Sequence, residues 1–327
     1  MFNHIFREAR MADQVYVTEK ITFQSNMELA LQPRGGELLT TCMEGDLDGI
    51  LAEIEDFFGA VETETVEGRH VPIVPTDGAQ TRLWLGKPAP DYFDKLVNKQ
   101  DQLMANIDLT GGYTMQGSAA IRRYHNRQWI NGFFGGRLTG QGGTAGTTVV
   151  PFPTAQVIPA NFGYGASGSN HLNVAKIIQA RTVLALGDVD FDQSMAYIMV
   201  TPIQMGDLMK EVQVTSDEFR ALGGRASADG KKIIQFLGFE FIEVNLASPS
   251  YATRSPTTYT SPTTGQLVRK LPFWVKAGVY AGWWERLFTN ITLREDLHYE
   301  TQVYARSCMA VTRTQDGMSG FIECYES

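Results

Sequence analysis

Cysteine is scarce in this sequence, and the few that occur stand far apart. Cys42, Cys308 and Cys324 are the only cysteines among 327 residues, and none forms a Cys-x-x-Cys pair. An odd number without that spacing excludes a disulfide framework and a structural zinc site. We therefore predict buried or incidental thiols, because free cysteine packs as a small hydrophobic residue. This usage fits a reducing compartment.

Long apolar runs and an excess of basic residues are also missing. No stretch approaches the ~18 apolar residues of a membrane span, and the first residues have no signal-peptide core. We therefore predict no membrane association. The formal net charge is −8, whereas a protein that grips nucleic acid through its phosphates is expected to carry a basic face. DNA binding is thus not the predicted main task, although an acidic wall can enclose DNA without adsorbing it.

Motifs for catalysis or metal binding are incomplete. The run Gly163–Gly168 has the spacing of a dinucleotide loop, but Pro159 interrupts the strand that should precede it. The run Asp188–Asp192 begins like a calcium loop but lacks the required glycine and glutamate further on, so a solvated acidic turn is favoured. No Walker A, HExxH or GxSxG pattern occurs. We predict no cofactor and no catalytic or metal site, and keep as an alternative a nucleotide-dependent enzyme that uses the Gly163–Gly168 loop.

The first third of the chain indicates an arm followed by hairpins. Residues 1–45 alternate short apolar and polar pieces, with short strands predicted at 15–17 and 21–23. The apolar spacing in Leu47–Phe58 predicts an amphipathic helix. Residues 60–86 read as β-hairpins, since Glu67-Gly68 and Asp77-Gly78 are turn signals.

The rest of the chain indicates one long helix and a mixture of shorter elements. The long helix is predicted from about Thr114 to Phe134, and the glycine-rich residues 135–146 form a loop. His125 on this helix is predicted to be a packed side chain and not a metal ligand. Trp283 and Trp284 are predicted to face the core and an interface. The remaining predictions are a helix at Leu172–Leu186 with Val174, Ile177, Ile178 and Leu184 inward, a strand at Ala196–Val200, an N-cap at Thr201 with Pro202 after it, strands at Ile233–Val244 broken at Gly238, a surface loop at 247–266, and strands at Trp274–Tyr280, Phe288–Leu293, Thr301–Ala305 and Met309–Thr312.

The order of these elements, together with several local runs, resembles the coat proteins of tailed bacteriophages, which have the Hong Kong 97-type capsid fold. The runs are Asp101–Tyr113 leading into the Ala119–Ile130 helix, Leu172–Ala180, Tyr197–Pro202 with Asp207–Met209, Val214–Asp217 and Phe236–Phe239. The resemblance extends from about Gln32 to the end. One departure is Asn126, which stands where an acidic residue is expected on the long helix.

The resemblance implies an α+β subunit with an N-terminal arm, an extended β-hairpin loop, a peripheral domain with a long spine helix, and an axial domain. The implied boundaries are 1–58 for the arm and a short helix, 59–90 for the loop, 91–135 with 273–327 for the peripheral domain, and 136–272 for the axial domain.

The resemblance also implies a function, that of a major capsid protein. Such subunits self-assemble as pentamers and hexamers into an icosahedral head that encloses double-stranded DNA without sequence-specific binding. The implied partners are other copies of the chain, a separate scaffolding protein, a portal, and a decoration or cement protein. The implied place is the virion, after assembly in the host cytoplasm. The alternative within the fold is an encapsulin-like shell of a bacterial nanocompartment, which holds an enzyme cargo.

Charge in the predicted hairpin indicates where subunits meet. Glu62, Glu64 and Glu67 crowd one strand, while the return strand offers only Arg69 and His70. Local cross-strand pairing therefore leaves a surplus of acids. We expect the surplus to meet basic residues of a neighbouring subunit, and the candidates lie on the long helix: Arg122, Arg123 and Arg127.

Overall fold

The computed structural model describes residues 35–58, 63, 80–97, 109–140, 147–163, 171–211, 224–226, 233–246, 257–262 and 264–326. They form two compact units. Unit 1 contains Gly35 and the described parts of 90–124 and 285–308, and unit 2 contains those of 36–89, 125–284 and 309–327. The domain boundaries implied by the resemblance stay a prediction. The predicted strands at 15–17 and 21–23 and most of the predicted hairpin lie outside the described residues.

The described residues contain three α-helices and sixteen strands. The helices are α1 (Leu109–Phe134), α2 (Val174–Leu186) and α3 (Pro202–Lys210). The strands are β1 (Met43–Asp46), β2 (Leu51–Phe58), β3 (Gln80–Gly86), β4 (Asp91–Val97), β5 (Arg137–Gly140), β6 (Thr147–Val150), β7 (Val157–Ile158), β8 (Ala196–Val200), β9 (Arg225–Ala226), β10 (Ile233–Phe236), β11 (Phe239–Glu243), β12 (Thr258–Thr260), β13 (Leu267–Val275), β14 (Val279–Arg294), β15 (Glu300–Arg313) and β16 (Ser319–Tyr325). None of these helices combines the length and apolar character needed to cross a membrane.

The long helix predicted from about Thr114 is confirmed as α1, although it begins five residues earlier, at Leu109. It ends at Phe134, directly before Gly135-Gly136, as the glycines predict. Helix α1 and strands β14 and β15 each run through both units.

A mixed sheet of seven strands with one side strand organises unit 2. Its order is β7-β16-β13-β8-β11-β10-β9, and β12 pairs with β13. Strand β8 is the predicted strand, and it pairs in parallel with β11 and antiparallel with β13. The predicted break at Gly238 is also confirmed: Leu237 and Gly238 both have positive φ, 52° and 87°, and form the tight turn between β10 and β11.

The core of unit 2 lies where α2 and α3 pack against this sheet. Phe239, Phe273 and Ile198 from the strands are fully buried with Ile177 and Leu208 from the helices. The predicted N-cap is confirmed, since the Thr201 side chain accepts a hydrogen bond from the Gln204 amide at the start of α3. The predicted inward face of α2 is wrong at one position: Ile178 is 39% exposed.

A second sheet in unit 2 corrects two predictions. Its order is β2-β3-β5-β6. Leu51–Phe58 is a strand and not a helix, because it pairs antiparallel with β3 along its whole length. A register shift between Glu53 and Glu55 resets the alternation of side chains, so the apolar spacing imitates a helix. Within the predicted loop 135–146, Arg137–Gly140 is strand β5, because it pairs with both β3 and β6.

Two further corrections concern the last third of the chain. The predicted strand Trp274–Tyr280 is two strands, since a 3-10 turn at Lys276–Gly278 separates β13 from β14. Within the predicted loop 247–266, Thr258–Thr260 is strand β12, because it pairs antiparallel with Leu267–Arg269 of β13. The strands predicted at 288–293, 301–305 and 309–312 are confirmed within the longer β14 and β15.

Candidate subunit contact surface

Unit 1 exposes a disproportionate share of apolar surface. It holds half of the exposed large hydrophobic side chains of the described residues, although it holds fewer than a quarter of those residues. On β14 alone, Leu287, Ile291 and Leu293 are each more than half exposed. Because soluble monomers rarely expose contiguous apolar patches beyond a few hundred Å², this unit is a candidate surface for association.

The alternation of β4 and β15 creates one covered face and one open face. The two strands pair antiparallel from Thr301 opposite Val97 to Ser307 opposite Asp91. Residues opposite each other share a face of the sheet, and Val97 and Val303 are buried on the covered face. Phe93 lies against α1 there, since a Cβ added to Gly117 would be 2.8 Å from its ring. On the open face, Tyr92 is 70% exposed.

Three aromatic rings form a row across the open face, one from each of three strands. Tyr304 of β15 is the middle ring: its centroid lies 6.3 Å from that of Tyr92 on β4 and 6.4 Å from that of Phe288 on β14. The guanidinium carbon of Arg306 lies 5.1 Å from the centre of the Phe288 ring. Tyr92 and Phe288 are exposed, whereas the other two side chains are half-buried. Tyrosine, phenylalanine and arginine in contact with one another have the composition of interaction hot spots. We refer to these four residues as the aromatic row.

Ion pairs and hydrogen bonds fix side chains of the aromatic row and of the neighbouring parts of β4, β14 and β15. Arg306 donates two hydrogen bonds to the Glu285 carboxylate, of 2.8 and 3.0 Å. At the end of β14, Arg294 donates hydrogen bonds of 2.6 and 2.8 Å to the Asp296 carboxylate, which lowers the pKa of that carboxyl. Gln302 of β15 donates to Asp94 of β4 at 2.8 Å. Bidentate arginine pairs of this kind fix side-chain geometry, so the face is preorganised.

The sequence predicted a strand at Phe288–Leu293 but not its exposure. A signal for it is present in the sequence. Leu287 and Phe288 are adjacent, so they occupy both faces of one strand, and Ile291 and Leu293 continue the pattern. Apolar residues on both faces require cover on both sides, and the pattern alone does not show whether that cover comes from the same chain.

The structure places only part of the predicted contact pairs. Arg122 is exposed on α1, and Arg123 and Arg127 are half-buried there. Glu62, Glu64, Glu67 and Arg69 lie outside the described residues, so their pairing stays a prediction.

The features considered for other chemistry have structural explanations where they are described. The Asp190 side chain accepts a hydrogen bond of 2.9 Å from the backbone amide of Asp192, so the run Asp188–Asp192 is an exposed acidic turn, as predicted. His125 is packed, also as predicted: its ring meets Trp283 edge-on at 5.1 Å, and burial lowers its pKa to about 4. Most of the Gly163–Gly168 loop lies outside the described residues. Within the described ranges, no three His, Cys, Asp or Glu side chains are grouped to hold a metal ion.

The cysteines are buried thiols, as predicted, and all three are free. Burial raises the pKa of Cys42 and of Cys324 to about 12. Trp283 is buried, and the indole of its neighbour Trp284 donates to the Gly49 carbonyl at 2.7 Å. Cys308 lies in unit 1, whereas Cys42, Cys324 and the two tryptophans lie in unit 2.

Comparison with known proteins identifies both the family and the fold. The family model described as phage capsid protein matches residues 15–326. No curated protein sequence matches the chain. Similar solved structures include the capsid of cyanophage Pam1, with a TM-score of 0.68, 12% identity, and coverage of 92% of this chain and 96% of that chain. The capsid of cyanophage P-SCSP1u has a TM-score of 0.66 and 12% identity, covering 92% and 91%. The head of Helicobacter pylori bacteriophage KHP40 has a TM-score of 0.65 and 10% identity, covering 91% and 94%.

These comparisons confirm the predicted α+β, Hong Kong 97-type capsid fold. They also decide against the nucleotide-dependent enzyme, because the matching family is one of structural proteins. The family match spans nearly the whole sequence, so this chain belongs to the phage capsid protein family and is a major capsid protein that forms the phage head.

Proposed function

We propose that this subunit assembles as pentamers and hexamers into an icosahedral head that encloses double-stranded DNA. Assembly takes place in the host cytoplasm, with a separate scaffolding protein, a portal, and a decoration or cement protein as partners. The family and the fold support self-association, since the similar structures are assembled capsids. The encapsulin-like nanocompartment is the weaker candidate, because the matching family is that of phage capsids.

The observation that carries this proposal is the open face of unit 1. Stable protein contacts bury roughly 1,200–2,000 Å², and their centres are rich in aromatic residues and arginine. The aromatic row supplies such a centre on one face of the sheet, and the exposed leucines and isoleucine of β14 add apolar surface on the other face of that strand. We assign a second copy of the subunit as its cover.

Charge supports enclosure of DNA without tight binding. The formal net charge of the chain is −8, and the exposed residues of unit 2 include Glu44, Asp46, Glu53 and Glu55. DNA phosphates are repelled by such a surface, while binding would need a cluster of Lys and Arg. A wall of this character leaves packaged DNA free to move during filling and ejection.

We further propose that the acids of the predicted hairpin meet the arginines of α1 on a neighbouring subunit. Exposed pairs contribute only about 0.2–1 kcal/mol each, but a closed shell repeats each contact many times. Reversing Glu62 and Glu64 to Lys should therefore spare the subunit's melting temperature and lower shell yield, most strongly at low salt. Unchanged yield at low salt would reject this contact.

The aromatic row is tested by replacing Tyr92 and Phe288 with serine together. Tyr92 is 70% exposed and Phe288 is 42% exposed in the subunit, so its melting temperature should fall far less than shell formation, which should drop at least tenfold by sedimentation and electron microscopy. A matched control is Leu186→Ser, which changes an 80% exposed apolar residue at the end of α2 and should assemble normally. Normal shells from the Tyr92 and Phe288 variant would refute the role of this face. Nuclease-protected double-stranded DNA in particles from the native host separates a phage head from an enzyme-filled compartment.

A further inference from the structure

The side chain of Asn126 holds the chain at the point where residues 1–34 join the described structure. Asn126 lies on α1 and is fully buried. Its Oδ1 accepts a hydrogen bond from the Gly36 amide at 2.9 Å, and its Nδ2 donates to Oε2 of Glu37 at 3.0 Å. One amide group therefore binds two consecutive residues that are some ninety positions away in sequence.

Only an uncharged amide satisfies both bonds at once. An aspartate at this position would accept from the Gly36 amide, but it has no proton to donate to Glu37. Two carboxylates would instead face each other about 3 Å apart, and one buried charge would lack a partner. Asn126 thus departs from the expected acidic residue for a physical reason: the acid of the pair is Glu37, supplied by the entering chain.

The chain is anchored on both sides of this contact. After Glu37, Leu38 is fully buried, and the Thr41 carbonyl accepts a hydrogen bond from the Trp274 indole at 3.1 Å. Before it, the backbone of Gly35 lies directly on the helix in unit 1, since an added Cβ would be 2.4 Å from the carbonyl carbon of Arg122. Helix α1 therefore holds Gly35, Gly36 and Glu37, which directly follow residues 1–34 in the sequence.

We propose that Asn126 and Glu37 form a clasp that fixes the chain end to which residues 1–34 are joined, and that Asn126 is thereby a positioning residue for contacts between subunits. Fully extended, 34 residues span at most about 110 Å. The clasp sets the point from which any such contact would begin. The second part of this inference rests on the proposed shell function, whereas the clasp itself does not.

The clasp is tested first by proteolysis of the full-length chain. Trypsin can cleave after Arg34, next to the clasp, and after Lys20, which is fourteen residues further away. In Asn126→Asp, cleavage after Arg34 should accelerate at least tenfold relative to cleavage after Lys20. In the double variant Asn126→Asp with Glu37→Gln, the donor and the acceptor are exchanged between the partners, so both hydrogen bonds return and the rate should fall back to within about threefold of the original. A merely structural role for Asn126 predicts no rescue, because the double variant still buries an aspartate.

Two outcomes would overturn the clasp: an unchanged ratio of the two cleavage rates in Asn126→Asp, or an accelerated ratio that the double variant does not restore. If Asn126→Asp does not fold, Glu37→Ala keeps the test open, because it removes one hydrogen bond without burying a new charge. That variant should raise the ratio of cleavage after Arg34 to cleavage after Lys20 at least threefold, and an unchanged ratio would count against the clasp.

Assembly is measured on the same variants by sedimentation and electron microscopy. Shell yield should fall in Asn126→Asp and recover in the double variant. If the proteolysis pattern holds but both variants form normal shells, the positioning role is wrong. If the unchanged protein itself forms no shells under any assembly condition, the proposed function fails, while the proteolysis result still decides on the clasp.

Discussion

Replacing Gly132 with alanine should destabilise the subunit, although the same change stabilises most helices. Gly132 lies near the end of α1 in unit 2, where the helix approaches β15. An added Cβ would be 2.1 Å from the carbonyl oxygen of Val311 and 2.6 Å from its carbonyl carbon. The obstacle is backbone within a strand, so it cannot rotate away as a side chain would. Helix and strand must move apart.

The magnitude follows from two opposed contributions. In a helix interior, alanine is better than glycine by about 1 kcal/mol. Forcing extra volume into a packed core costs roughly 1–3 kcal/mol, and a contact this short on backbone atoms belongs in the upper part of that range. The expected result is a net loss of about 1–2 kcal/mol, or a fall of roughly 2–8 °C in melting temperature.

Two other glycines of the same helix are matched controls. A Cβ at Gly112 would meet nothing within 4 Å, so Gly112→Ala should raise the melting temperature slightly. A Cβ at Gly117 would be 2.8 Å from the ring of Phe93, which can turn, so Gly117→Ala should fall between the two. The assay is thermal unfolding of unassembled subunits, followed by circular dichroism. A Gly132→Ala subunit as stable as Gly112→Ala would refute the close approach of α1 to β15.

The remaining predictions concern titration and thiol chemistry. Burial lowers the pKa of His125 to about 4 from its ordinary value of 6.5, so the folded subunit keeps it neutral while the unfolded chain takes up a proton first. The contribution of neutral His125 to stability is therefore complete above pH 6.5 and is lost as the pH falls towards 4. Between these pH values, the melting temperature of His125→Gln should fall less than that of the unchanged subunit. An identical fall would contradict the burial of this ring. Because the pKa values of Cys42 and Cys324 are raised to about 12, iodoacetamide at pH 8 should label these two thiols at least a hundredfold more slowly in the folded subunit than in denaturant, and comparable rates would rule out their burial. Changing Cys42, Cys308 and Cys324 together to serine should leave a soluble, assembling subunit with at most packing losses, whereas loss of assembly would indicate a role for the thiols.

Local chemistry was sufficient to predict several elements of this protein. Thr201 and Pro202 begin α3 because a hydroxyl cap and a proline with a preset φ act within one turn of the chain. Gly238 lies in the turn between β10 and β11 because glycine, which has no Cβ, adopts the positive φ of such a turn readily. The order of such elements was enough to predict the capsid fold and the function. The cysteines were predicted as buried because nothing in their spacing offers another use.

The misassigned segments were decided by partners far away in sequence. Leu51–Phe58 has helical apolar spacing, but its pairing with β3 and a register shift make it a strand. Arg137–Gly140 lies within the glycine-rich residues 135–146, yet β3 and β6 supply its hydrogen bonds from both sides. Sheet pairing overrides local propensity because each strand satisfies its backbone through other strands.

The open face of unit 1 and the clasp were likewise beyond sequence reasoning. Apolar alternation does not distinguish a side chain that is covered by its own core from an exposed one such as Tyr92, which is 70% exposed. Asn126 suggested only a missing salt bridge, because its acid, Glu37, is brought to it by the fold from 89 positions away. The sequence by itself determined which residues form helices and turns through neighbours in the chain. Tertiary structure alone decided which surfaces are left open and which polar groups meet, because those depend on contacts between residues that the sequence does not place together.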